Sequence, residues 1–300
     1  MPGPFPENIR KVGIFPLSFG FQKQEYIDVL RQRFADLKVD YVMPEPQTAE
    51  FRYMAASDQE RARIFNSLLA DRTVDFMLAM RGGFGAARAL PYIDWDLLLE
   101  RNVPVAGYSD MTAFLAGALS RGFKNGISGV MAECTFGVAN ASKEQLEQSF
   151  ASLRKCIAGK VLSVPYQGKY RTIRAGQVKA PLMAGNLGVL DALIGTPWMP
   201  DLSGFVLIVE DLGKRPVDIE RDLNHFRQAG ILDVLSGIVY GAFTACDDMK
   251  YLDDIFDEYS SYVNGPCFSG LPFGHVYPCA AIRIGVETEI NVFPDDSVLF

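Results

Sequence analysis

The sequence predicts an α/β protein with a parallel sheet covered by helices on both faces in its first half. Short β-rich runs alternate there with helical patterns, which is typical of such a sheet. Further along the chain the sequence pattern changes to short strands separated by glycine and proline turns, which predicts a smaller, mixed, β-rich second domain. A length of 300 residues fits about two domains.

Five strands are predicted in the first half, each a short apolar run bounded by turn residues. They are Lys11–Pro16, Val39–Met43, Val74–Met80, Val103–Ala106 and Gly126–Val130. Helical patterns are predicted at Gln22–Leu37, Asp58–Ala70, Asp110–Ser120 and Lys143–Ile157. Ser57 is suited to cap the second of these helices.

The second half begins after a stretch rich in glycine and proline. We interpret residues 159–170 as a linker between domains at 1–158 and 171–300. The predicted strands are Gly204–Glu210, Gly237–Ala242, Arg283–Val286 and Glu289–Phe293, and the predicted helices are Pro216–Ala229 and Lys250–Tyr259. Proline at the opening position of a helix is well tolerated.

Composition excludes several functional classes. The chain is 49% hydrophobic and 22% charged, which suits an ordinary globular core, and its net charge of −7 argues against a nucleic-acid or anionic membrane partner. Five scattered cysteines without a C-x-x-C pair predict neither disulfides nor a zinc site. The first residues lack a signal-peptide pattern and no long apolar stretch occurs, so we expect a cytoplasmic protein.

Ser109 lies where a short apolar strand turns into an amphipathic helix. A serine on such a turn projects its hydroxyl at the carboxyl end of a sheet, beside a backbone N–H and the positive end of a helix, as an acyl-transfer nucleophile requires. The turn lacks the second glycine of G-x-S-x-G, and serine is also a preferred helix N-cap. The residues alone leave both roles open.

A glycine loop, Arg81–Gly85, follows a buried-type strand and precedes a short helix. Its backbone N–H groups can face a ligand or an oxyanion. The spacing G-G-x-G is not the dinucleotide pattern G-x-G-x-x-G, and a tight turn that needs positive φ explains these glycines equally well.

The two histidines and a pair of acids complete the candidates. His225 falls off the apolar stripe of its predicted helix, which favours a solvated residue, whereas His275 lies in a loop with two prolines and two glycines that can hold a general base. Glu210 and Asp211 end an apolar strand, where a carboxylate can orient that base or simply face water. Spacing does not choose between the two acids.

Six motifs occur in the order found in LD-carboxypeptidases, serine peptidases that remove the terminal D-alanine from the murein tetrapeptide. They are Arg81–Gly85, Gly107–Thr112, Ala184–Leu187, Ile194–Pro197, Val209–Asp211 and Leu271–His275. The chain resembles this family from about Lys11 to Glu289, and the six ordered motifs are specific together. Segment Phe15–Gly20 departs from the family's alanine-proline-serine-serine type, so substrate contacts in that loop are not carried over.

The resemblance implies a Ser-Glu-His triad. Ser109 would be the nucleophile, His275 the base, and Glu210 rather than Asp211 the residue that orients the base. The resemblance also implies a Rossmann-like N-terminal domain, a smaller β-rich C-terminal domain, a homodimer, and a triad that crosses the interdomain cleft.

The oxyanion of this chemistry needs backbone donors, for which we expect the N–H of Asp110 and that of Gly82 or Gly83. The mechanism requires neither a metal nor an organic cofactor. The implied substrate is a murein peptide in peptidoglycan recycling, and its terminal carboxylate would seek Arg81 or a set of N–H groups, although Arg81 can equally be structural.

Two alternatives to this function remain open at the level of sequence. A related microcin-immunity hydrolase cleaves peptidyl or aminoacyl adenylates, and an aromatic-lined pocket for adenine would favour it. A non-catalytic nucleotide-binding module that uses the glycine loop is the alternative of another class, and it predicts no role for Ser109.

Overall fold

A computed structural model describes residues 3–137, 142–166, 168–246 and 249–300. The first half alternates strands and helices. In chain order these are β1 (Lys11–Phe15), α1 (Gln24–Leu37), β2 (Asp40–Val42), α2 (Asp58–Ala70), β3 (Phe76–Ala79), α3 (Ala86–Ala89), α4 (Trp95–Arg101), β4 (Val105–Gly107), α5 (Thr112–Ser120), β5 (Gly126–Ser128) and α6 (Lys143–Ile157).

The second half is richer in strands. Its elements are β6 (Leu162–Ser163), β7 (Arg171–Arg174), β8 (Gly176–Asn186), α7 (Leu187–Asp191), β9 (Val206–Leu212), α8 (Pro216–Gln228), α9 (Ile231–Val234), β10 (Gly237–Thr244), α10 (Leu252–Ser260), β11 (Cys267–Ser269), β12 (Ala281–Arg283), β13 (Glu287–Val292) and β14 (Val298–Leu299). The predicted α/β fold class is confirmed.

The first sheet has the strand order β2-β1-β3-β4-β5-β12-β6, and its first five strands are parallel as predicted. Two strands from later in the chain complete it: β6 from the predicted linker, and β12, which pairs antiparallel with both β5 and β6. The linker range includes residue 167, which lies outside the described residues.

The second sheet has the order β14-β13-β8-β9-β10-β11-β7, with parallel pairing from β8 to β11 and antiparallel strands at its edges. The eleven-residue β8 was missed because it contains a proline, which argues against a strand interior. Parallel pairing with β9 begins at Leu182, directly after Pro181.

Element boundaries differ where special backbone conformations intervene. The strand predicted at Arg283–Val286 ends at Arg283, because Gly285 has φ +74° and turns the chain toward β13. The helix predicted from Asp110 begins at Thr112, after a 3₁₀ turn over Ser109–Met111. Helix α6 has its predicted bounds and opens with a capping box of Ser142 and Gln145.

One apolar core is continuous between the two sheets. It contains Phe114 of α5 together with Leu187 of α7 and Leu207 of β9. A second core lies on the other face of the first sheet, around Phe34, Phe76 and Phe136. This packing fixes the carboxyl ends of β4, β8 and β9 relative to one another, and the candidate site lies at those ends. Within the described residues no helix is long and apolar enough to cross a membrane.

Candidate active site

Ser109 occupies a strained turn at the end of β4. Tyr108 is extended, and Ser109 has φ +60°, a conformation that non-glycine residues rarely adopt and that recurs at functional sites. No side-chain capping bond is made at the start of this 3₁₀ turn, nor at the start of α5, whose N-cap is Met111. The capping interpretation of Ser109 is therefore wrong, and Ser109 lines a cleft.

The glycine loop lies directly against this hydroxyl. A Cβ on Gly82 would be 3.0 Å from Ser109 Oγ, so any side chain at residue 82 would crowd the serine. Gly83 has φ +118°, and a Cβ there would collide with the Phe19 ring. Both glycines line the cleft, and neither backbone N–H donates a hydrogen bond to the part of the chain that the structure describes.

The Asp110 side chain holds the loops around Ser109 together. Its Oδ2 accepts hydrogen bonds from Ser18 Oγ at 2.5 Å and from the backbone N–H of Ala86 at 2.9 Å. Burial raises the pKa of this carboxyl group. Asp110 thus ties the Ser109 turn to the loop after β1 and to the start of α3.

His275 and Glu210 form a hydrogen-bonded pair. Nδ1 of His275 lies 2.7 Å from Glu210 Oε2, and the glutamate is only 1% exposed at the end of an apolar strand. Gly274 has φ +107°, and a Cβ there would be 2.5 Å from the same carboxylate oxygen. The Tyr108 ring stands edge-on to the imidazole, with centroids 5.1 Å apart.

Asp211 has a different set of partners. Its Oδ2 accepts from the backbone N–H of Gly188 at 3.0 Å and pairs with Lys214 at 3.2 Å. Asn186, which the strand register places opposite Glu210, donates its Nδ2 to Glu210 Oε1 at 3.2 Å and to Asp211 Oδ1 at 3.1 Å. Asp211 therefore secures the end of β8, while Glu210 meets the histidine.

Arg81 is paired across the cleft wall with an acid that the sequence did not single out. Its Nε lies 3.0 Å from Glu133 Oε1, and its guanidinium stacks over Phe19. Glu133 is 3% exposed, accepts a second bond from the backbone N–H of Gln22, and has its pKa raised by burial. The ion pair holds Arg81 at the cleft.

The cleft has a volume of about 540 Å³ and brings together most of the predicted site residues. Those that line it are Arg81, Gly82, Gly83, Ser109, Asp110 and His275, with Asn186 and Glu133 among their neighbours. Among the described residues no direct hydrogen bond joins Ser109 to His275, although both line the same cleft.

The other histidine lies elsewhere. His225 is half-exposed on α8 and its Nδ1 contacts Asp191 Oδ1 at 2.8 Å, at the packing of α8 against α7. Within the ranges that the structure covers, no group of three or more His, Cys, Asp or Glu side chains is arranged to hold a metal ion.

Two family models match the chain, the LD-carboxypeptidase N-terminal domain over residues 12–129 and the LD-carboxypeptidase C-terminal domain over residues 179–290. The chain belongs to the LD-carboxypeptidase family. The resemblance drawn from the six sequence motifs is thereby confirmed.

Relatives of this LD-carboxypeptidase family member carry two kinds of name. The murein tetrapeptide carboxypeptidase of Pseudomonas aeruginosa is 28% identical over 83% of this chain and 83% of that protein. The microcin C7 self-immunity protein MccF of Escherichia coli is 24% identical over 80% of this chain and 77% of that protein.

Solved structures share the fold. The muramoyltetrapeptide carboxypeptidase from Oxalobacter formigenes superposes with a TM-score of 0.81 at 24% identity, over 94% of this chain and 96% of that one. A structure of MccF in complex with glutamyl sulfamoyl guanosine superposes with a TM-score of 0.87 at 19% identity, over 97% and 96% of the two chains.

Sequence reasoning missed the residues that support the site of this LD-carboxypeptidase family member. Arg61, fully buried in α2, donates to the carbonyl oxygens of Leu17, Ala56 and Gly85. No local signal distinguishes it from Arg63, the solvated arginine of the same helix. Asn186 lies in one of the six motifs, Ala184–Leu187. Its position directly before a helix was a usable signal, because asparagine is a preferred N-cap and the Asn186 Oδ1 caps α7 by accepting from the Val189 N–H.

Proposed function

We propose that the chain is a serine carboxypeptidase that hydrolyses the L,D amide bond of murein tetrapeptide and releases the terminal D-alanine. The observation that carries the proposal is the strained Ser109 in one cleft with His275, whose other ring nitrogen is held by Glu210. Relatives named for murein peptides support the substrate. We place the reaction in cytoplasmic peptidoglycan recycling and assign it to a homodimer, following the family resemblance.

Acylation uses the two ends of the imidazole. Because Nδ1 faces Glu210, Nε2 is the nitrogen that accepts the proton of Ser109 as Oγ attacks the amide carbonyl. Glu210 keeps the neutral ring in the tautomer with a free Nε2 and balances the imidazolium that forms. The same proton then passes to the leaving amine of D-alanine.

The tetrahedral oxyanion needs preorganised donors beside the serine. The N–H groups of Asp110, Gly82 and Gly83 are the candidates, because Gly82 lies against Ser109 Oγ and both glycines line the cleft. Loss of one such donor typically costs about 3–4 kcal/mol of transition-state stabilisation. Water, activated by the same histidine, then hydrolyses the acyl-enzyme, and no cofactor takes part in the scheme.

Arg81 is our candidate for the substrate carboxylate. Its pairing with Glu133 uses Nε, so the two terminal nitrogens of the guanidinium can approach a carboxylate in the cleft. A structural role in holding Glu133 is compatible with this one, since the ion pair fixes the orientation of the guanidinium.

The direct test is incubation with murein tetrapeptide, with release of free alanine scored by mass. A matched tetrapeptide ending in L-alanine tests stereochemistry. Ser109→Ala should abolish release while the protein keeps its fold, and Ser120→Ala, which removes a serine hydroxyl at the end of α5, should hydrolyse at the normal rate. An active Ser109→Ala protein contradicts the acyl-enzyme.

A second candidate function is hydrolysis of peptidyl or aminoacyl adenylates. The observation that favours it is the similarity to MccF, whose solved structures include complexes with sulfamoyl nucleosides. An aminoacyl adenylate assayed beside the tetrapeptide separates the two substrates. A non-catalytic nucleotide-binding module predicts tight nucleotide binding that Ser109→Ala leaves unchanged, and no hydrolysis of either compound.

A further inference from the structure

Phe19 lies beneath Arg81, our candidate for the substrate carboxylate. The central carbon of the guanidinium is 5.2 Å from the centroid of the Phe19 ring, which is within the range of a cation–π contact. The Nε of the same guanidinium pairs with Glu133 at 3.0 Å, and within the described part of the chain no other acid pairs with Arg81. An aromatic face and a single carboxylate therefore restrict the orientation of the guanidinium.

The position of Phe19 is itself set by its neighbours. Its backbone N–H donates to the carbonyl oxygen of Gly82 at 3.3 Å, and the preceding Ser18 donates its Oγ to Asp110 Oδ2 at 2.5 Å. The ring fills the space beside Gly83, where a Cβ would collide with it. The glycine loop and the turn that contains Asp110 thus hold the ring in place, although the ring does not line the cleft.

Arg81 is positioned close to Ser109. It directly precedes Gly82, where a Cβ would be 3.0 Å from Ser109 Oγ, and all three residues line the same cleft. In a peptide that is cleaved at its last bond, the terminal carboxylate lies within one residue of the scissile bond, at most about 3.6 Å along the chain. A carboxylate that follows a scissile bond at Ser109 is therefore within reach of the Arg81 side chain.

We propose that Phe19 is a positioning residue that makes the site selective for peptides with a free terminal carboxylate. It acts through Arg81, because a guanidinium that is already fixed by the ring and by Glu133 loses less side-chain entropy when it binds the carboxylate. This inference rests on the proposed carboxypeptidase function and explains part of its selectivity. Segment Phe15–Gly20 departs from the family pattern, so the family resemblance implies no such role for Phe19.

The experiment compares murein tetrapeptide, which ends in D-alanine, with the same peptide ending in D-alaninamide, which lacks the terminal charge. The unmodified protein should prefer the acid. Phe19→Leu keeps an apolar side chain but removes the π face, and the partial exposure of the ring means that the fold should be retained. We expect its kcat/KM for the acid to fall about five- to tenfold, with kcat/KM for the amide unchanged. Phe19→Tyr keeps a π face and should keep the acid preference.

Two further variants separate the cation–π contact from a general effect on the fold. Tyr262→Leu is the matched control, because its ring lies 4.7 Å from the guanidinium carbon of Arg227 and does not line the cleft; it should alter neither kcat/KM value. In an Arg81→Met background, Phe19→Leu should have no further effect on either peptide, because the guanidinium through which the ring acts is absent. Melting temperatures show whether each variant keeps its fold.

Three results would overturn the role of Phe19. In the first, Phe19→Leu keeps the acid preference of the unmodified protein. In the second, it lowers kcat/KM for the acid and the amide equally, which would mean that Phe19 only shapes the glycine loop. In the third, its effect on the acid persists in the Arg81→Met background, so that the ring does not act through the guanidinium.

The two proposals fail in different ways. If the unmodified protein releases alanine from the acid but Phe19→Leu keeps the preference, only the role of Phe19 falls. If the unmodified protein cleaves acid and amide equally well, the selectivity falls and hydrolysis of the last peptide bond stands. If it releases neither alanine nor alaninamide, the carboxypeptidase function falls and the role of Phe19 falls with it.

Discussion

The carboxylate of Glu210 reaches Nδ1 of His275 across the backbone of Gly274, the residue that directly precedes the histidine. Oε2 lies 2.7 Å from the ring nitrogen and only 2.5 Å from the position that a Cβ on residue 274 would take. Residue 274 must be glycine for two reasons: its φ is +107°, and the Glu210 carboxylate fills the space that a Cβ would take.

Gly274→Ala should displace Glu210 from the imidazole. A misplacement of about 1 Å in a catalytic group can lower the rate about 100-fold, and we expect kcat to fall by that order. Gly230→Ala is the matched control, since residue 230 also has positive φ but open space around it. It should lose about 1–2 kcal/mol of stability and keep its kcat. Equal kcat values in the two variants would contradict the Glu210–His275 relationship.

The two neighbouring acids should separate by function and stability. Glu210→Gln should lower kcat by about 10³–10⁴ with little change in unfolding, because an amide neither enforces the tautomer nor balances an imidazolium. Asp211→Asn weakens the contacts with Lys214 and should cost about 1–3 kcal/mol of stability with a much smaller loss of kcat. Steady-state kinetics and denaturant melts measure both, and the reverse pattern would transfer the orienting role to Asp211.

The two histidines should respond oppositely to substitution. His275→Ala should be nearly inactive, whereas His225→Ala should keep near-normal rates because its ring pairs with Asp191 where α8 packs on α7 and does not line the cleft. Steady-state kinetics of the two variants check this, and comparable losses of rate in both would contradict the different roles of the two histidines.

Much of the fold could be predicted from the sequence, because strands and helices leave local patterns of apolar and capping residues. The five parallel strands follow from short apolar runs, and helix α2 begins directly after its predicted cap, Ser57. The contacts around the candidate site are not local. Glu210 and His275 are 65 residues apart, and Asn186 faces Glu210 only through the register of β8 on β9. Motif order suggested the pairing of Glu210 with His275 but not the role of Asn186, and spacing and periodicity alone suggested neither.

The acid that holds Arg81 offers a test of the cleft by stability rather than activity. Burial raises the pKa of Glu133, so the folded state binds this proton more tightly than the unfolded state does. Stability linked to Glu133 is then fully present below the ordinary glutamate range and is lost as pH rises through the higher folded pKa. Glu60 has the opposite sign: hydrogen bonding to Arg63 lowers its pKa, so its contribution is lost as pH falls.

Melting temperatures of Glu133→Gln and Glu60→Gln should therefore diverge from that of the unmodified protein in opposite directions. As pH rises from 4 to about 7, the melting temperature of Glu133→Gln should rise relative to that of the unmodified protein, and that of Glu60→Gln should fall relative to it. Loss of the Arg81 pairing lowers the melting temperature of Glu133→Gln at every pH. The change with pH in the difference between the two melting temperatures reports the titration of Glu133. Parallel curves for Glu133→Gln and the unmodified protein would show that the cleft wall around Arg81 is hydrated rather than buried.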